Sequence, residues 1–455
     1  MIRFLLDGEA IEVEDADPTG TVLDHLRYTL RRTGTKEGCA EGDCGACTVL
    51  LGELAGDSVE WRAVNACILF LPMLDGKALK TVESLGGTHP VQRELVERHG
   101  SQCGFCTPGF VMSLYGRSIG AAGTRGVPVG DVIAGNLCRC TGYGPILAAG
   151  EAVPMAAEAD EDTLAALRSL QPAYGHPASA DQLADLLLAN PDTRIVAGAT
   201  DVGLWVTKQL RDLGPTVFIG DIPDLRHIEE SAEALTLGAA VRYSEAREAL
   251  DRLHPDLGEL VRRIGGVQVR NAGTIGGNIA NGSPIGDMPP ALIALGTELT
   301  LRRGPERRTL PLEDFFLSYG KQDLAPGEFV ESVRIPRPSP HTLVRIVKLS
   351  KRFDSDISGV CGAFALRMEG GIVTQARVAF GGMAGVPARA RRCEGALTGR
   401  TWTEDTVEAA ARALADDYEP LDDLRGSAAY RRKVAANLLR RIWAERSEPV
   451  SVLHG

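Results

Sequence analysis

Residues 37–49 read EGCAEGDCGACTV and place Cys39, Cys44 and Cys47 in one short segment. A fourth cysteine, Cys67, follows further along the chain. This C-x4-C-x2-C spacing with a distant fourth cysteine is the plant-type ferredoxin arrangement, in which one loop supplies three thiolates to a [2Fe–2S] cluster. The sequence therefore predicts a metal site with these four cysteines as its ligands.

Glycines accompany the clustered cysteines at Gly38, Gly42 and Gly45. Glycine lets the backbone wrap closely around a cluster and brings N–H groups to its sulfur atoms, where a Cβ would collide. A structural zinc site is the alternative interpretation of four such cysteines. Zinc sites are usually built from two CxxC-like pairs, and the glycine-rich triplet fits that pattern poorly.

Four more cysteines form a second set of two pairs. Cys103 and Cys106 form a C-x2-C pair, and Cys138 and Cys140 form a C-x-C pair. Two such pairs at helix ends can converge on one four-thiolate site. Taken alone, this set leaves zinc open as an alternative, although C-x-C is unusual in zinc ribbons. Beside the first set, a second [2Fe–2S] cluster is the favoured interpretation.

Composition and charge exclude several classes of protein. The chain has 455 residues, of which 44% are hydrophobic and 24% charged, and its net charge is −11. This length predicts several domains. The negative net charge argues against a nucleic-acid-binding protein, which would show a basic surface. The longest apolar run, residues 66–74, is too short to span a bilayer. The remaining cysteines, Cys361 and Cys393, are expected to be buried apolar residues.

The compartment follows from the N-terminus and the cysteines together. The first residues, MIRFLLDGE, turn acidic after two leucines and show no signal-peptide pattern. In a chain without a signal peptide, cysteines clustered this closely favour metal binding over disulfides. We therefore expect a cytoplasmic protein.

Local patterns divide the chain into four domains and one linker. The first is a mixed α/β unit with a hairpin around the Asp7-Gly8 turn. The second should hold four short helices, and the linker is rich in Ala, Glu, Asp and Pro. The third alternates strands and helices, and the fourth has strands followed by a helical tail over 403–446. The expected ranges are 1–80, 81–155, 156–176 (the linker), 177–338 and 339–450.

Two segments of the third domain are candidates for binding a ligand. No Rossmann GxGxxG fingerprint or Walker loop follows residue 160, so a dinucleotide would have to be held in another way. Residues 193–201 read TRIVAGATD, a strand running into a turn of small residues whose N–H groups can face pyrophosphate oxygens. Residues 274–287 read TIGGNIANGSPIGD, a glycine-rich segment with polar side chains. Each segment alone is a weak signal.

Three cysteine motifs together resemble one family. They are EGCAEGDCGACTV at 37–49, SQCGFCTPGF at 101–110 and GNLCRCTGYGPI at 135–146. They are similar to the paired [2Fe–2S] motifs of the xanthine dehydrogenase and aldehyde oxidase family of molybdenum hydroxylases. The resemblance covers nearly the whole chain and implies an α+β multidomain fold. Its expected parts are a β-grasp ferredoxin domain, a helical [2Fe–2S] domain, a non-Rossmann α+β FAD-binding domain and a C-terminal α+β domain.

The same resemblance implies the residues that contact the cofactors. Gln102 matches a position that approaches the pterin of the molybdenum cofactor. The residues assigned to FAD are Ile195, Val196, Ala197, Gly198, Ala199, Thr200, Asp201, Val202, Ile264, Thr274, Gly277, Asn278, Asp287, Val330 and Lys348. Ile264 stands where the family often has an aromatic residue against the flavin. A solvated surface lysine is the alternative for Lys348. Residues 350–357, SKRFDSDI, match a loop near the flavin.

The resemblance finally implies a role in electron transfer. The clusters and FAD would use up this chain, so we expect the molybdopterin on a large partner subunit, in an α2β2 heterotetramer. That partner would convert hypoxanthine and xanthine to urate, and electrons would pass through the two clusters and FAD to NAD⁺. No acid or base residue is assigned to catalysis in this chain. The alternatives are a related hydroxylase of aldehydes or N-heterocycles and, from another class, a zinc-stabilised scaffold without redox function.

Overall fold

The computed structural model of the chain describes residues 1–156 and 160–445. The expected linker 156–176 and the expected domain 339–450 extend onto residues 157–159 and 446–450, which lie outside the described residues. Helices and mostly antiparallel sheets form separate layers, and the α+β multidomain fold is confirmed. In the described part of the chain, no helix has the length and apolar character needed to cross a bilayer.

The N-terminal part is a five-stranded mixed sheet in the order β2-β1-β5-β3-β4, with β1 and β5 parallel. Its strands are β1 Ile2–Leu6, β2 Glu9–Val13, β3 Thr48–Ala55, β4 Ser58–Asn65 and β5 Ala78–Lys80. Thr21 caps helix α1, Val22–Asp24, by accepting from the Asp24 amide, and a π-helical turn, His25–Thr29, continues it. Strand β4 ends at Asn65, and short turn and 3-10 segments follow it.

Four helices follow, as expected: α2 Pro90–Glu97, α3 Thr107–Ser118, α4 Val129–Val132 and α5 Gly144–Ala152. Helix α3 is the centre of this domain, since nine of its residues are buried. Proline stands in the first turn of α2, α3 and α5, where a missing N–H costs nothing. Cys106 immediately precedes α3, and Cys138 and Cys140 lie between α4 and α5, so both cysteine pairs are held at helix ends.

The linker is not an unpatterned segment, because it contains helix α6, Glu161–Ser169. Leu167 of this helix is 2% exposed and belongs to the core of the helical domain. Trp61 Nε1 donates to Asp160 Oδ2 at 2.9 Å, which ties the start of the helix to the ferredoxin sheet. Acidic residues in the first turn and Arg168 in the last suit the helix dipole. The linker thus packs across the iron–sulfur half.

The FAD half begins with α7 Ala180–Ala189 and a parallel pair of strands, β6 Arg194–Val196 and β7 Thr216–Phe218, joined through α8 Val202–Thr207. An antiparallel sheet in the order β11-β10-β14-β9-β8 forms its main layer. Its strands are β8 Ile228–Glu230, β9 Ala234–Gly238, β10 Glu298–Arg303, β11 Glu306–Pro311 and β14 Phe329–Pro336. The helices are α9 Tyr243–Leu253, α10 Pro255–Arg262, α11 Val267–Arg270, α12 Ile275–Asn281, α13 Met288–Leu295 and α14 Leu312–Phe315, and a small hairpin pairs β12 Phe316–Ser318 with β13 Lys321–Gln322.

The C-terminal domain is an antiparallel sheet of β15 Thr342–Leu349, β16 Val360–Glu369, β17 Ile372–Gly381, β18 Ala388–Arg389 and β19 Arg400–Thr401. It is covered by α15 Arg391–Leu397, α16 Glu404–Ala413 and α17 Ala428–Ala444. The expected continuous helical tail is wrong, because a non-helical segment separates α16 from α17 and contains Pro420, which cannot donate a helical hydrogen bond.

Buried ion pairs join the ferredoxin sheet to the FAD domain. Lys77 Nζ donates to Asp221 Oδ2 at 2.6 Å, and Arg242 Nη1 donates to Glu53 Oε1 at 2.8 Å. Lys77 and Arg242 are 7% and 5% exposed, and burial lowers the pKa of Lys77 to about 8. Lys77 and Arg242 are buried while Asp221 is exposed. Because removing an acidic partner would leave a buried cation unpaired, these pairs hold the two halves in one arrangement.

We expect the stability of the protein to decrease as the pH falls below 6.5. Burial lowers the pKa values of His25 and His176 from 6.5, so the unfolded chain binds protons before the folded chain does. Their contribution is complete above 6.5 and is lost as the pH falls toward the lowered values. Thermal unfolding between about pH 8 and pH 5 measures this. His176→Gln should flatten the slope and the exposed His341→Gln should not; equal slopes would contradict the prediction.

Candidate functional site

The first four cysteines come together beside the ferredoxin sheet. Cys39, Cys44 and Cys47 lie on the loop before β3, and Cys67 follows β4. The Cys44 amide donates to Cys39 Sγ at 3.3 Å. Hydrogen bonds from the thiols of Cys44 and Cys67 lower the pKa of Cys39, and the thiols of Cys67 and Cys47 also contact each other. All four sulfur atoms therefore form one group.

The second set also comes together, but at the protein surface. The thiols of Cys103 and Cys140 lie near enough to shift each other's pKa, and the same holds for the thiols of Cys106 and Cys138. Cys103 and Cys140 are exposed, Cys106 is half-buried and Cys138 is buried. Gln102, next to Cys103, is exposed as well. This face of the helical domain is the one from which the second thiol group can be reached.

The contacts between the thiols suit a two-iron cluster. A structural zinc ion binds four thiolates around one centre. A [2Fe–2S] cluster instead shares four thiolates between two irons, and each group contains contacting pairs of thiols. The eight thiols thus fit two such clusters.

Glycines in the first cysteine loop, residues 38–47, allow the backbone to pass close to the cysteine sulfur atoms. A Cβ at Gly38 would lie 2.7 Å from Cys44 Sγ. Gly42 and Gly45 have φ values of +77° and +68°, which side chains rarely adopt. Asn65, which the sequence analysis missed, anchors the loop because its Nδ2 donates to the Gly42 carbonyl at 2.9 Å. Its position just before Ala66 and Cys67 was the only signal available.

The two thiol groups belong to loops in direct contact. The amide of Leu137 donates to the carbonyl of Cys44 at 2.9 Å. Leu137 immediately precedes Cys138, so one hydrogen bond joins the backbone of Cys44 to the backbone of the residue before Cys138. The FAD domain touches the first loop on another side, where Thr207 Oγ1 donates to the Ala40 carbonyl at 2.7 Å.

The segment from Ile195 to Val202 runs from β6 into α8 and lies against the turn before α12. A Cβ at Gly198 would lie 1.8 Å from the Ala272 carbonyl oxygen, so the two segments touch through backbone. Ala199, the next residue, has a φ of +58°. Thr274 caps α12 by accepting from the Gly277 amide at 3.0 Å. The segments expected to hold the FAD phosphates therefore form one cradle, which we define as residues 195–202 with residues 272–278.

The cradle also contains an unsatisfied acceptor. Asn278 Oδ1, in α12, is buried without a hydrogen-bond partner among the described residues. Buried polar atoms are normally paired, and an unpaired one calls for an explanation such as a missing ligand. The resemblance assigns Asn278 to FAD, and the donor groups of a flavin nucleotide would satisfy this atom. The cradle thus fits a dinucleotide.

Asp287 and Lys348 form a buried pair on adjoining elements. Lys348, in β15, is 4% exposed, and its Nζ donates to Asp287 Oδ2 at 2.7 Å. Nζ also donates to the carbonyls of Arg263 and Asp356, at 3.1 and 2.8 Å. The alternative of a solvated Lys348 is therefore wrong. The pair joins the FAD domain to the C-terminal domain.

Two of the residues assigned to FAD, Val330 and Ile264, lie in apolar surroundings. Val330, in β14, is 6% exposed and belongs to the hydrophobic core of the FAD domain. Ile264, just after α10, is half-buried and packs against that same core. Neither has a polar side chain, so each can contribute only backbone or van der Waals contact to a ligand.

The loop 350–357 is held by arginines. The carbonyl of Phe353 accepts from Arg263 Nε at 3.0 Å, and the guanidinium of Arg263 lies 4.4 Å from the Phe353 ring centroid. Arg352 lies 3.8 Å from Asp43 of the first cysteine loop. Arg263 could not be identified from the sequence, because nothing in an isolated arginine predicts its partner.

We expect Lys348→Met to weaken FAD binding and to lower the unfolding temperature. The variant leaves the Asp287 carboxylate buried without its cation, which costs about 3–5 kcal/mol. FAD fluorescence during heating measures release and unfolding together. The double variant Lys348→Met, Asp287→Asn removes the orphaned charge and should recover part of the loss. A single variant with wild-type melting would contradict the role of the pair.

Four families match consecutive parts of the chain. They are described as 2Fe-2S iron-sulfur cluster binding domain (residues 4–71), [2Fe-2S] binding domain (81–151), FAD binding domain in molybdopterin dehydrogenase (168–338) and CO dehydrogenase flavoprotein C-terminal domain (345–446). The chain therefore contains iron–sulfur-binding and FAD-binding domains.

Curated relatives match over almost the whole chain. Xanthine dehydrogenase of Emericella nidulans is 31% identical over 97% of this chain, and xanthine dehydrogenase 1 of Arabidopsis thaliana is 29% identical over 89%. The chain spans only 38% and 36% of the lengths of these relatives.

Solved structures match about three fifths of the chain. A chain of carbon monoxide dehydrogenase from Hydrogenophaga pseudoflava is 31% identical, with a TM-score of 0.56, and the match covers 59% of this chain and 96% of that one. A chain of quinoline 2-oxidoreductase from Pseudomonas putida 86 is 27% identical, with a TM-score of 0.55, covering 61% of this chain and 98% of that one.

Proposed function

This chain belongs to the molybdenum hydroxylase family of oxidoreductases, and we propose that it is the electron-accepting part of a xanthine dehydrogenase. In this proposal the two cysteine groups hold two [2Fe–2S] clusters, the cradle holds FAD, and NAD⁺ is the final acceptor. Hypoxanthine and xanthine would be converted to urate on a separate molybdopterin-binding subunit, in an α2β2 heterotetramer in the cytoplasm. The relatives that match over nearly the whole chain are named xanthine dehydrogenases, which supports this choice of substrate.

One observation carries the proposal: two four-thiol groups lie on loops that touch each other and the FAD domain. When bound, iron–sulfur clusters exchange single electrons, and a flavin can collect them and deliver a hydride. The residues of this chain set the spacing. Leu137 and Cys44 join the two loops, and Thr207 holds the first loop against α8, which follows the cradle.

The chain's own residues also organise the flavin site. The Asp287–Lys348 pair fixes the two elements that it joins, and Arg263 holds the loop 350–357 beside them. Asn278 offers an acceptor, and the turn of residues 197–200 offers backbone N–H groups to phosphate oxygens. These groups bind and orient; we assign no proton transfer to any of them.

The surface of the helical domain is the proposed contact with the molybdopterin subunit. Cys103 and Cys140 are exposed there. Beside them Phe105 and Leu137 are 49% and 39% exposed. Exposed apolar side chains around a functional group are typical of a protein interface. A partner that covers this face would bring its own redox centre next to the second cysteine group, with Gln102 at the boundary.

An anaerobic titration with NADH tests the acceptor without the partner. NADH should give up its hydride to the bound flavin and bleach the flavin and iron–sulfur absorbance, whereas NADPH serves as the control nucleotide. A chain that contains flavin and iron but stays oxidised with NADH contradicts the NAD⁺ assignment.

Co-purification of the partner, followed by assays with xanthine, an aldehyde and an N-heterocycle in the presence of NAD⁺ or O₂, tests the substrate and the acceptor together.

A related hydroxylase is the second candidate function. The fold similarity to quinoline 2-oxidoreductase favours an N-heterocycle as its substrate, with an aldehyde as the other possibility. Turnover of quinoline or an aldehyde but not of xanthine would support the related hydroxylase and contradict the xanthine dehydrogenase. A zinc-stabilised scaffold would be colourless and would contain zinc instead of iron and acid-labile sulfide.

A further inference from the structure

Three domains meet at a buried polar junction, which we define as Gly45, Thr48, Ser113, Asn136 and Gln268. Gly45 and Thr48 belong to the first cysteine loop and the start of β3, Ser113 and Asn136 to the helical domain, and Gln268 to α11 of the FAD domain. The four side chains are at most 2% exposed. Nothing in the isolated sequence singled out Gln268.

The amide of Gln268 is the donor at the centre of the junction. Its Nε2 lies 3.1 Å from Thr48 Oγ1, 3.2 Å from Ser113 Oγ and 3.0 Å from Asn136 Oδ1. A side-chain amide has two N–H donors, so these contacts use its full donor capacity. The carbonyl oxygen of this amide, Oε1, is buried without a hydrogen-bond partner among the described residues. The contacts of Nε2 therefore fix the position of the amide relative to both other domains, because losing them would leave a second buried polar group unpaired.

Asn136 passes this constraint to both cysteine loops. Its Nδ2 donates to the Gly45 carbonyl at 3.1 Å, in the middle of the first loop. Asn136 also stands two residues before Cys138, and the residue between them, Leu137, donates to the Cys44 carbonyl at 2.9 Å. The Asn136 side chain therefore connects the amide of Gln268 to both cysteine loops.

The backbones around the junction approach as closely as glycine permits. A Cβ at Gly135 would lie 2.3 Å from Gln268 Oε1, and a Cβ at Gly45 would lie 2.2 Å from the Gly135 carbonyl oxygen. A Cβ at Gly266 would lie 2.4 Å from the Cα of Gly135. These contacts leave little space for the loops to shift while Gln268 keeps its hydrogen bonds.

We propose that Gln268 is a positioning residue through which the FAD domain sets the separation of the two iron–sulfur clusters. The inference rests on the proposed function, because it takes both thiol groups as cluster ligands. It goes beyond that function in making electron exchange between the clusters depend on a residue of the flavin domain. Loss of the Gln268 amide should let the two loops move apart without removing either cluster.

The experiment uses the full chain, purified with its iron and FAD and reduced with dithionite. The magnetic interaction between two reduced clusters falls steeply with their distance, so the splitting of their electron paramagnetic resonance signals reports the separation of the loops. In Gln268→Met, which keeps the length of the side chain but has no amide, we expect weaker splitting and several-fold slower electron exchange between the clusters after flash reduction. Iron and FAD content should stay at the wild-type values.

Asn271→Leu is the matched control. Asn271 is also buried and also joins the three domains, since its Nδ2 donates to the carbonyls of Ala63 and Ala122 at 3.0 and 3.2 Å. It touches neither cysteine loop. A merely structural role predicts the same result for both variants, whereas the proposed role predicts wild-type splitting in Asn271→Leu.

The outcomes separate the inference from the proposed function. Wild-type splitting and exchange in Gln268→Met, or an equal change in both variants, would overturn the inference. A wild-type chain without two distinct reduced clusters would overturn the proposed function itself. If Gln268→Met does not fold, Thr48→Val removes the hydroxyl that Gln268 and Asn136 both meet. It should reduce the splitting, and an unchanged splitting there would overturn the inference as well.

Discussion

Replacing Cys138 by alanine will remove about half of the iron and acid-labile sulfide, because in the proposed function two [2Fe–2S] clusters share the eight thiolates equally. One of two reduced-cluster signals should disappear from the electron paramagnetic resonance spectrum, and the other should remain. Electrons from a partner subunit should then no longer reach the flavin. FAD should stay bound, because the cradle lies in another domain.

Cys393→Ala is the matched control for this variant. Cys393 is fully buried in the C-terminal core, as expected of a cysteine outside the two groups. Its replacement should cost some stability and leave iron, sulfide and both signals unchanged. A loss of iron in Cys393→Ala, or full iron content in Cys138→Ala, would show that the assignment of the ligands is wrong.

Replacing Gly198 by alanine will abolish tight FAD binding. The new Cβ would lie 1.8 Å from the Ala272 carbonyl oxygen and 2.4 Å from the Ala272 carbonyl carbon, and these backbone atoms cannot rotate away as a side chain could. Overpacking costs about 1–3 kcal/mol, which corresponds to a loss of FAD affinity of about 5-fold to about 140-fold. The turn before α12 would move away from residues 195–202.

Flavin absorbance after gel filtration, and titration of the apoprotein with FAD, measure this loss. Iron content is an internal control, because the cysteine loops do not contact Gly198. Gly395→Ala, on the exposed face of α15, meets no atom within 4 Å and should bind FAD normally. It should even be slightly more stable, by up to about 1 kcal/mol, as is typical of alanine in a helix. Normal FAD binding by Gly198→Ala would show that the cradle does not bind FAD.

Local patterns were sufficient for the individual elements. The hairpin around Asp7-Gly8 and the four short helices of the second domain form as expected, because turn and cap residues act within a few positions of each other. The helix in the linker was not predicted, because it depends on a contact with a distant part of the chain. This helix, α6, has a weak pattern of its own and is stabilised by Leu167 packing into the helical domain. The helical tail is interrupted because Pro420 cannot donate a helical hydrogen bond.

The environment of the candidate sites depended on distant residues. A solvated Lys348 was a fair alternative from sequence, since most strand lysines are exposed. Only the fold brings Asp287 to its ammonium group, at a sequence separation of 61 residues. The same is true of Arg263 and Phe353, and of Gln268 and Thr48.

What the chain's sequence determined by itself was chemistry: which residues are thiols, how many belong to each group, and which small residues allow a backbone to approach a ligand. Such information is local, because ligand spacing and backbone freedom depend on neighbouring residues. What only the tertiary structure decided was position: that the two thiol groups lie on touching loops, that one is exposed and the other largely covered, and that a glutamine of the FAD domain joins them. Those facts depend on contacts between residues far apart in sequence, and packing of the whole chain selects these contacts.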